Sequence, residues 1–276
     1  MNRRRWLLVG GGVLVALVGL VAFGTWWLFF RDDAPEAVSL DQAVEAAGGG
    51  ASTTALPGST VPSEGEPAES STTAVPATTA TTAASGGSAP AGGIDGSWTV
   101  DTSIGSFDFD SADGSFVGFR VNEELTIGSA TAVGRTGDVA GSLLIDGTTV
   151  TDVTIEADLS QLVTNDSRRD RAARDALDTD QFPTATFVQT QPLEIPADAA
   201  TGGPVSVTAV GELTIHGVTR PSEVPIEAQL VDDVIALIGS VPVTFADYGV
   251  TAPSAPIVVS VEDNGIIEFQ LLFTRS

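Results

Sequence analysis

The residues of this chain that could carry chemistry are one histidine, many carboxylates and no cysteine. Without cysteine the chain can form no disulfide, no thiolate nucleophile and no lipid-modified cysteine anchor. His216 is the single histidine, so a metal site built from several His or Cys ligands cannot form, and no G-x-S-x-G nucleophile turn is present. We interpret His216, beside Gly217, as a structural residue of a turn. The sequence therefore predicts no catalytic residue, no metal site and no cofactor.

The carboxylates produce a charge excess rather than a recognisable catalytic pair. From residue 94 onward the chain has 28 acidic residues and 8 arginines, and no lysine occurs anywhere. A glycosidase needs two carboxyl groups about 5 to 9.5 Å apart across a sugar, and abundance alone does not place any two of them. Three segments, Asp146-Gly147, Asp232-Asp233 and Asp263-Asn264-Gly265, are typical of hairpin turns first and of calcium sites second. The acidity disfavours nucleic acid as a partner, so we predict that the protein binds no nucleic acid. Since no catalytic group or pair is recognisable, we also predict that it is not an enzyme.

Residues 1–31 predict a membrane anchor. Arg3, Arg4 and Arg5 precede an uncharged stretch, residues 6–30, which exceeds the roughly 20 apolar residues that cross a bilayer. A cleavable signal peptide has an apolar core of about 7 to 15 residues and small residues at its cleavage site, whereas this stretch ends in tryptophans, leucine and phenylalanines. The arginines place the N-terminus in the cytoplasm. We therefore expect an uncleaved, single-pass anchor in the cell membrane, with all later residues on the extracytoplasmic side.

Residues 32–93 predict a disordered linker. Of the 60 residues 34–93, 47 are Ala, Gly, Ser, Thr or Pro and none is aromatic, so the segment cannot bury enough apolar surface to offset chain entropy. As a flexible coil it would span about 40 to 45 Å between its ends. Within it, residues 39–47 could form a short helix capped by Ser39, but nine residues without a strong apolar face are marginal alone.

Residues 94–276 predict one globular β domain. Apolar and polar residues alternate here in short runs separated by Gly, Asp, Asn and Pro, which is typical of antiparallel strands. Roughly eight strands at this spacing indicate a sandwich or a closed barrel, and each apolar strand face is expected to find its partners within the same range. One segment, residues 167–178, is predicted to be a helix, whose arginines are interpreted either as solvated surface or as a phosphate-binding group.

Five motifs in this domain occur in an order that resembles one known family. They are Trp98-Thr-Val-Asp101, Ser115-Phe-Val-Gly-Phe-Arg-Val121, Asp166-Ser-Arg-Arg-Asp170, Asp180-Gln-Phe-Pro-Thr-Ala-Thr-Phe187 and Gly211-Glu-Leu-Thr-Ile-His-Gly-Val-Thr-Arg-Pro221. This series resembles the YceI-like family of polyisoprenoid-binding proteins. The resemblance implies an antiparallel, lipocalin-like β barrel that encloses the tail of a long isoprenoid lipid. Two departures stand out: an anchor and linker precede the domain, and Asn122, Glu123 and Glu124 occupy positions where the family often has a histidine.

The expected ligand cavity would be lined by inward-facing apolar residues, with small residues such as Ala157 and Ala209 leaving room between them. A barrel of about eight strands is wide enough to be filled by side chains or to hold one slim ligand. The predicted partner is a long-chain isoprenoid of polyprenyl or quinone type, held outside the cytoplasm by a membrane-anchored protein; the alternative is a structural or protein-interaction module of the cell envelope with a filled barrel core. The predicted lining residues are Phe119, Val121, Leu143, Ile155, Phe187, Leu213, Ile226, Phe269 and Phe273.

Overall fold

The computed structural model describes residues 34–48 and 93–276, except 112, 127 and 254–257. The predicted membrane span at residues 6–30 and most of the predicted linker lie outside these residues. Within the described ranges no helix has both the length and the apolar character that a membrane crossing requires.

The described chain contains thirteen strands and two α-helices, with short 3-10 helices at Ala197–Thr201 and Phe245–Tyr248. The helices are α1 (Leu40–Ala46) and α2 (Ser167–Ala176). The strands are β1 (Gly96–Val100), β2 (Phe116–Leu125), β3 (Gly128–Thr136), β4 (Val139–Asp146), β5 (Thr149–Asp158), β6 (Val163–Thr164), β7 (Thr184–Gln189), β8 (Leu193–Glu194), β9 (Val205–Ile215), β10 (Val218–Val231), β11 (Val234–Thr244), β12 (Val258–Val261) and β13 (Asn264–Arg275).

Eight of the strands close into an antiparallel barrel in the order β1-β4-β5-β7-β9-β10-β11-β13, and β13 pairs with β1 to complete the ring. The sequence left a sandwich and a barrel open, and the β1–β13 pairing decides for the barrel. The predicted helix at residues 167–178 is confirmed as α2. One short helix was expected to accompany the barrel; a second, α1, is also present, in the segment 39–47 for which the sequence allows a short helix capped by Ser39.

The two ends of the barrel differ. At one end, here called the helix end, lie the β9–β10 turn at His216, the start of β13 and helix α2. The opposite end, here called the turn end, carries the β4–β5 hairpin turn at Asp146–Gly147 and the β10–β11 turn at Asp232–Asp233. The sequence predicts both turns from their Asp and Gly residues, whereas the hairpin turn predicted at residues 263–265 is wrong, because Asn264 and Gly265 begin β13 and pair with β11. Strands β2, β3 and β6 extend the sheet from β13 at the helix end, where β2 pairs with Ile266–Gln270 of β13.

Aromatic rings lie flat against glycines inside the barrel. Gly239 of β11 is directly opposite Phe269 of β13, and a Cβ atom built on Gly239 would lie 2.3 Å from Cζ of Phe269 and 2.7 Å from the carbonyl oxygen of Pro225. Gly211 of β9 is diagonal to Phe187 of β7, and a Cβ atom built on Gly211 would lie 2.5 Å from Cζ of that ring. The glycines therefore give the two rings room to lie along the wall instead of projecting into the lumen.

This packing makes Gly239→Ala a destabilising substitution. The added methyl group must displace the Phe269 ring or the backbone at Pro225, and such overpacking costs about 1–3 kcal/mol. Urea unfolding followed by circular dichroism should show the midpoint fall by a corresponding amount, with Ser240→Ala at the next, exposed position as the control. An unchanged midpoint for Gly239→Ala would show that the ring does not pack on this glycine.

The outer face of the barrel is covered at β11 and β13. Ala236, Ile238 and Leu272 point away from the lumen, yet Ala236 and Leu272 have no exposed surface, because they pack against Val38, Leu40 and Val44. The expectation that every apolar strand face has its partners within residues 94–276 is therefore wrong for this face. The expectation of a disordered linker is also wrong for residues 34–48, whose helix is stabilised by tertiary packing that a short segment cannot provide alone.

Candidate ligand cavity

The lumen of the barrel holds an apolar cavity of about 160 Å³. Its lining comes from all eight barrel strands except β1, together with β2, β8 and the loops around residues 94 and 195–199, and all of it is hydrophobic except Thr186 and Gln229. No acid, base or hydroxyl group other than that of Thr186 reaches the cavity. The arrangement can therefore hold an apolar molecule, but it offers no group that would act chemically on one.

Seven of the nine predicted lining residues lie on this cavity. Strand alternation places them correctly because successive residues of a strand point to opposite faces, so one face of each barrel strand is turned toward the lumen. Their side chains come from six strands and surround a single space. They are Leu143, Ile155, Phe187, Leu213, Ile226, Phe269 and Phe273.

Phe119 and Val121 face inward on β2 but lie beyond the cavity. Phe119 packs with Leu159 and Leu162 beneath helix α2, and Val121 is buried near Gly265. The reason is the division of β13 between two neighbours: β1 pairs with its C-terminal part and β2 with its N-terminal part. Residues 119 and 121 of β2 therefore lie at the helix end rather than in the middle of the lumen. The alternation within β2 indicates which residues face inward but not where the strand lies along the barrel.

The turn end of the cavity is lined by residues that the sequence prediction missed. Ile145, Val205 and Leu230 continue the inward faces of predicted strands, so the same alternation could have found them. Ile94 and Ile195 lie outside strands and carry no periodic signal. Ile94 is held in place by Trp98, whose indole Nε1 donates to the carbonyl oxygen of Ile94 at 2.9 Å.

Helix α2 closes the helix end of the barrel. Ala173 and Leu177 pack against Leu159 and Leu162, and polar contacts of three helix residues hold the helix in place. The backbone N–H and the hydroxyl of Thr164 donate to Asp170 at 2.8 Å each, Arg174 donates to the carbonyl oxygen of Leu162 at 2.7 Å, and Arg169 forms an ion pair with Glu123 at 3.0 Å. Glu123 thus helps to position helix α2.

His216 occupies the β9–β10 turn with a φ of 52° and lies away from the cavity. Its Nδ1 is 3.1 Å from the carbonyl oxygen of Tyr248, and its ring makes an edge contact with Phe182 at 5.1 Å between centroids. These contacts fit the predicted structural role. In the described part of the chain, no group of three or more His, Cys, Asp or Glu residues is placed to hold a metal ion.

The titration of Tyr248 tests the packing of residues around the β9–β10 turn. Burial, and then the neighbouring Asp247 carboxylate, raises the pKa of Tyr248 above 10.0, while Arg220 opposes the rise. Because the pKa of Tyr248 is higher in the folded than in the unfolded protein, the protonated hydroxyl contributes to the free energy of unfolding. This contribution is fully present below about pH 10 and is lost as pH rises through the folded-state pKa. Tyr248 is the only tyrosine in the chain, so tyrosinate absorbance reports this group alone.

We expect Tyr248 to ionise at higher pH in the folded protein than in urea. We also expect Tyr248→Phe to reduce the loss of stability above pH 10. Coincident titration curves for the folded and unfolded protein would contradict the burial of this hydroxyl.

Comparison with known proteins identifies the family of the domain. The model of the YceI-like domain matches residues 98–273. A UPF0312 protein from Pseudomonas fluorescens is 30% identical over 111 residues, which are 39% of this chain and 54% of the relative, so the match spans about half the length of that protein.

Two solved structures are also similar. One is a polyisoprenoid binding domain from Saccharophagus degradans implicated in plant cell wall breakdown, at 17% identity over 65% of this chain and 98% of that chain, with a TM-score of 0.49. The other is BcnA from Burkholderia cenocepacia, at 21% identity over 63% and 98% of the two chains, with a TM-score of 0.46. Since the YceI-like domain model matches well over half of the chain, this protein belongs to the YceI-like family.

Proposed function

We propose that the barrel binds the tail of a long-chain isoprenoid lipid of polyprenyl or quinone type in its lumen. The observation that carries the proposal is the continuous apolar lining, which runs from Ile94 and Ile145 at the turn end to Ile215 and Val241 near the helix end. An apolar space that extends along the barrel suits a hydrocarbon tail better than a compact polar ligand. Membership of the YceI-like family supports the same ligand class.

The size of the cavity defines what binding requires. A cavity of about 150 Å³ lined by Leu, Ile and Phe holds one benzene, so the 160 Å³ seen here accommodates about one isoprene unit. A longer tail must displace lining side chains along the barrel. The Phe187 and Phe269 rings already lie against glycines along the wall, so the further space must come from movement of other lining side chains.

We further propose that the protein is anchored in the cell membrane through residues 6–30 and presents the barrel outside the cytoplasm. The arginines before this stretch and its length support the proposal. The acidic surface of the barrel domain favours a neutral head group, such as that of a quinone, over a strongly anionic one. The protein acts by binding, since the cavity holds no group suited to acid, base or nucleophilic catalysis.

A second function is favoured by one observation, the small volume of the cavity. A barrel with only about 160 Å³ of free space is close to a filled core, which suits a structural or protein-interaction module of the cell envelope. The two functions differ in what the lumen contains when the protein is isolated from its native membrane.

Mass spectrometry of organic extracts separates the two. Full-length protein purified from native membranes in a mild detergent should carry an isoprenoid lipid in near-stoichiometric amount. The same lipid should be depleted in Ala228→Leu, which fills part of the lumen, and retained in Ala140→Leu, which alters an exposed outer position. Extracts that contain only the bulk membrane lipids in all three proteins would favour the module with a filled core.

A further inference from the structure

Residues 34–47 lie along the outer face of the barrel and are held there by two arginines. Arg120 donates from Nη2 to the carbonyl oxygen of Pro35, and Arg135 donates from Nη2 to the carbonyl oxygen of Glu36 at 2.8 Å. Backbone carbonyls are the acceptors in both cases, so the attachment depends on the path of the chain rather than on the side chains at 35 and 36.

The two arginines belong to a buried ionic network. Nε of Arg120 lies 2.7 Å from Oε2 of Glu268, and Nη2 of Arg135 lies 2.9 Å from Oε1 of the same carboxylate. The side chains of Arg135 and Glu268 are each only 1% exposed, and the Arg135 guanidinium stacks 4.5 Å from the centre of the Phe116 ring. Lifting residues 34–36 away would leave donors of a buried cation without acceptors, which is costly.

Helix α1 extends the attachment with apolar packing. Its N-cap Ser39 accepts from the backbone N–H of Gln42 at 3.4 Å, and Ala43 is fully buried against the outer-face cluster of Ala236, Ile238 and Leu272. The segment is therefore fixed at both of its ends, by hydrogen bonds at residues 35–36 and by apolar burial at residue 43.

The segment runs in one direction along the barrel. Arg120 pairs with Ile266 near the start of β13, which is at the helix end. Ala236 pairs with Leu272 near the end of β13, toward the turn end. The chain thus arrives at residue 34 close to the helix end and leaves α1 closer to the turn end, where Arg275 donates to the carbonyl oxygens of Gly93 and Asp95 as the chain returns.

We propose that residues 34–47 form a strap that holds the barrel at the membrane surface with its helix end facing the bilayer. The placement at the membrane rests on the proposed anchor, whereas the strap itself rests on the contacts above. From Phe30 to Ala34 the chain can reach at most about 14 Å, compared with about 40 to 45 Å for a free linker of residues 34–93. Residues 49–92 are then a connection between two attached segments rather than the tether.

Exposed apolar residues at the same end agree with this orientation. Val259 of β12, the most exposed large apolar side chain among the described residues at 64%, lies at the helix end with Ile266, whereas Leu144 is the exposed apolar residue toward the turn end. Apolar side chains at positions 259 and 266 suit the interfacial region of a bilayer. Lipid exchange would then occur between the bilayer and the end of the barrel that α2 closes.

The first test of the strap requires neither a membrane nor a lipid ligand. A specific protease site is inserted into residues 49–92 of the full-length protein, and the chain is cut in detergent. We expect the barrel to co-purify with a tag on the N-terminal fragment. Ala43→Glu should release the barrel, because it places a charge in the fully buried site, whereas Gln42→Glu adds the same charge at an exposed neighbouring position and should not. Release of the unsubstituted barrel on cutting would overturn the strap.

The second test addresses orientation. The chain has no cysteine, so full-length Val259→Cys and Asp146→Cys can each be labelled with one fluorophore at opposite ends of the barrel. The 12 residues of β13 span about 40 Å along the strand, or roughly 30 Å along a barrel axis at the usual tilt. In lipid nanodiscs containing a head-group nitroxide, we expect the label at 259 to be quenched several-fold more than the label at 146. Equal or reversed quenching would overturn the orientation, whatever the outcome of the lipid-binding experiments.

Discussion

Replacing Ala209 by leucine is expected to stabilise the barrel and to weaken isoprenoid binding at the same time. Ala209 is 1% exposed and lines the cavity, so three added carbons would occupy empty apolar space. Filling a cavity commonly adds about 0.5–2 kcal/mol of stability. The ligand loses the same space, and at about 0.8 kcal/mol for each buried CH₂ the three carbons correspond to a loss of about 2.4 kcal/mol, roughly fiftyfold in affinity.

A rise in stability together with a fall in ligand affinity would distinguish a cavity from a filled core. Urea unfolding and isoprenoid titration are measured on Ala209→Leu and on Ala140→Leu, whose side chain lies on the exposed outer face of β4. The control should change neither quantity by more than about 0.5 kcal/mol. If Ala209→Leu is destabilised by overpacking, the lumen is already full; if its affinity is unchanged, the ligand does not occupy this part of the barrel.

Replacing Glu268 by glutamine is expected to cost about 3–5 kcal/mol of folding free energy. The substitution keeps the shape of the side chain but leaves Arg135, with its side chain 1% exposed, and Arg120, at 16%, without their shared counter-charge. Removing one partner of a buried ionic network is strongly destabilising, because the remaining charge cannot be solvated. Since domain stabilities are typically about 5–15 kcal/mol, the urea midpoint should fall markedly.

Glu227→Gln serves as the matched control, because Glu227 is exposed on β10 and the same charge is removed there. Its unfolding free energy should change by less than about 0.5 kcal/mol. A Glu268→Gln protein as stable as the control would mean that the two arginines are hydrated and that the network does not hold the strap.

The barrel could be predicted from sequence wherever one strand face is apolar and the other is solvated. Leu213 and Ile226 follow this rule, because their strand neighbours are polar residues or proline and face outward. The turns at Asp146–Gly147 and Asp232–Asp233 were likewise predictable, since these residues suit a tight hairpin. Closure into a ring could not be derived from the residues alone, because it depends on the pairing of β1 with β13 across the whole domain.

The covered outer face could not be predicted by the same rule. Glu268, Gln270 and Leu272 alternate with the inward residues of β13 and would normally be assigned to solvent, yet each is buried. Their burial comes from residues 34–47, whose composition indicates disorder, and from the loop that contributes the Phe109 carbonyl to Arg135 at 3.0 Å. A short segment of this composition becomes ordered when the surface of a folded domain satisfies its backbone hydrogen-bonding groups. The composition of the segment does not show that such a surface exists, so its order could not be predicted.

Of the candidate site, the sequence predicted the middle of the lumen and missed its ends. The ends are formed by α2 and by Ile94 and Ile195, which enter from outside the regular strands and follow no period of two. Phe119 and Val121 were assigned to the cavity for the converse reason: they alternate correctly, but β2 lies at the helix end of the barrel.

The central claim, that the lumen binds an isoprenoid tail, is tested most directly by titrating a fragment of residues 34–276 with isoprenoids of increasing length and a common neutral head group. Each further unit removes apolar surface from water, worth about 25 cal/mol for each Å², so affinity is expected to rise with length and to level off once the barrel is full. The fluorescence of Trp98, the only tryptophan in this fragment and a buried residue at the turn end, provides the signal together with calorimetry. Absence of binding at every length, or affinity that does not change with length, would contradict the claim.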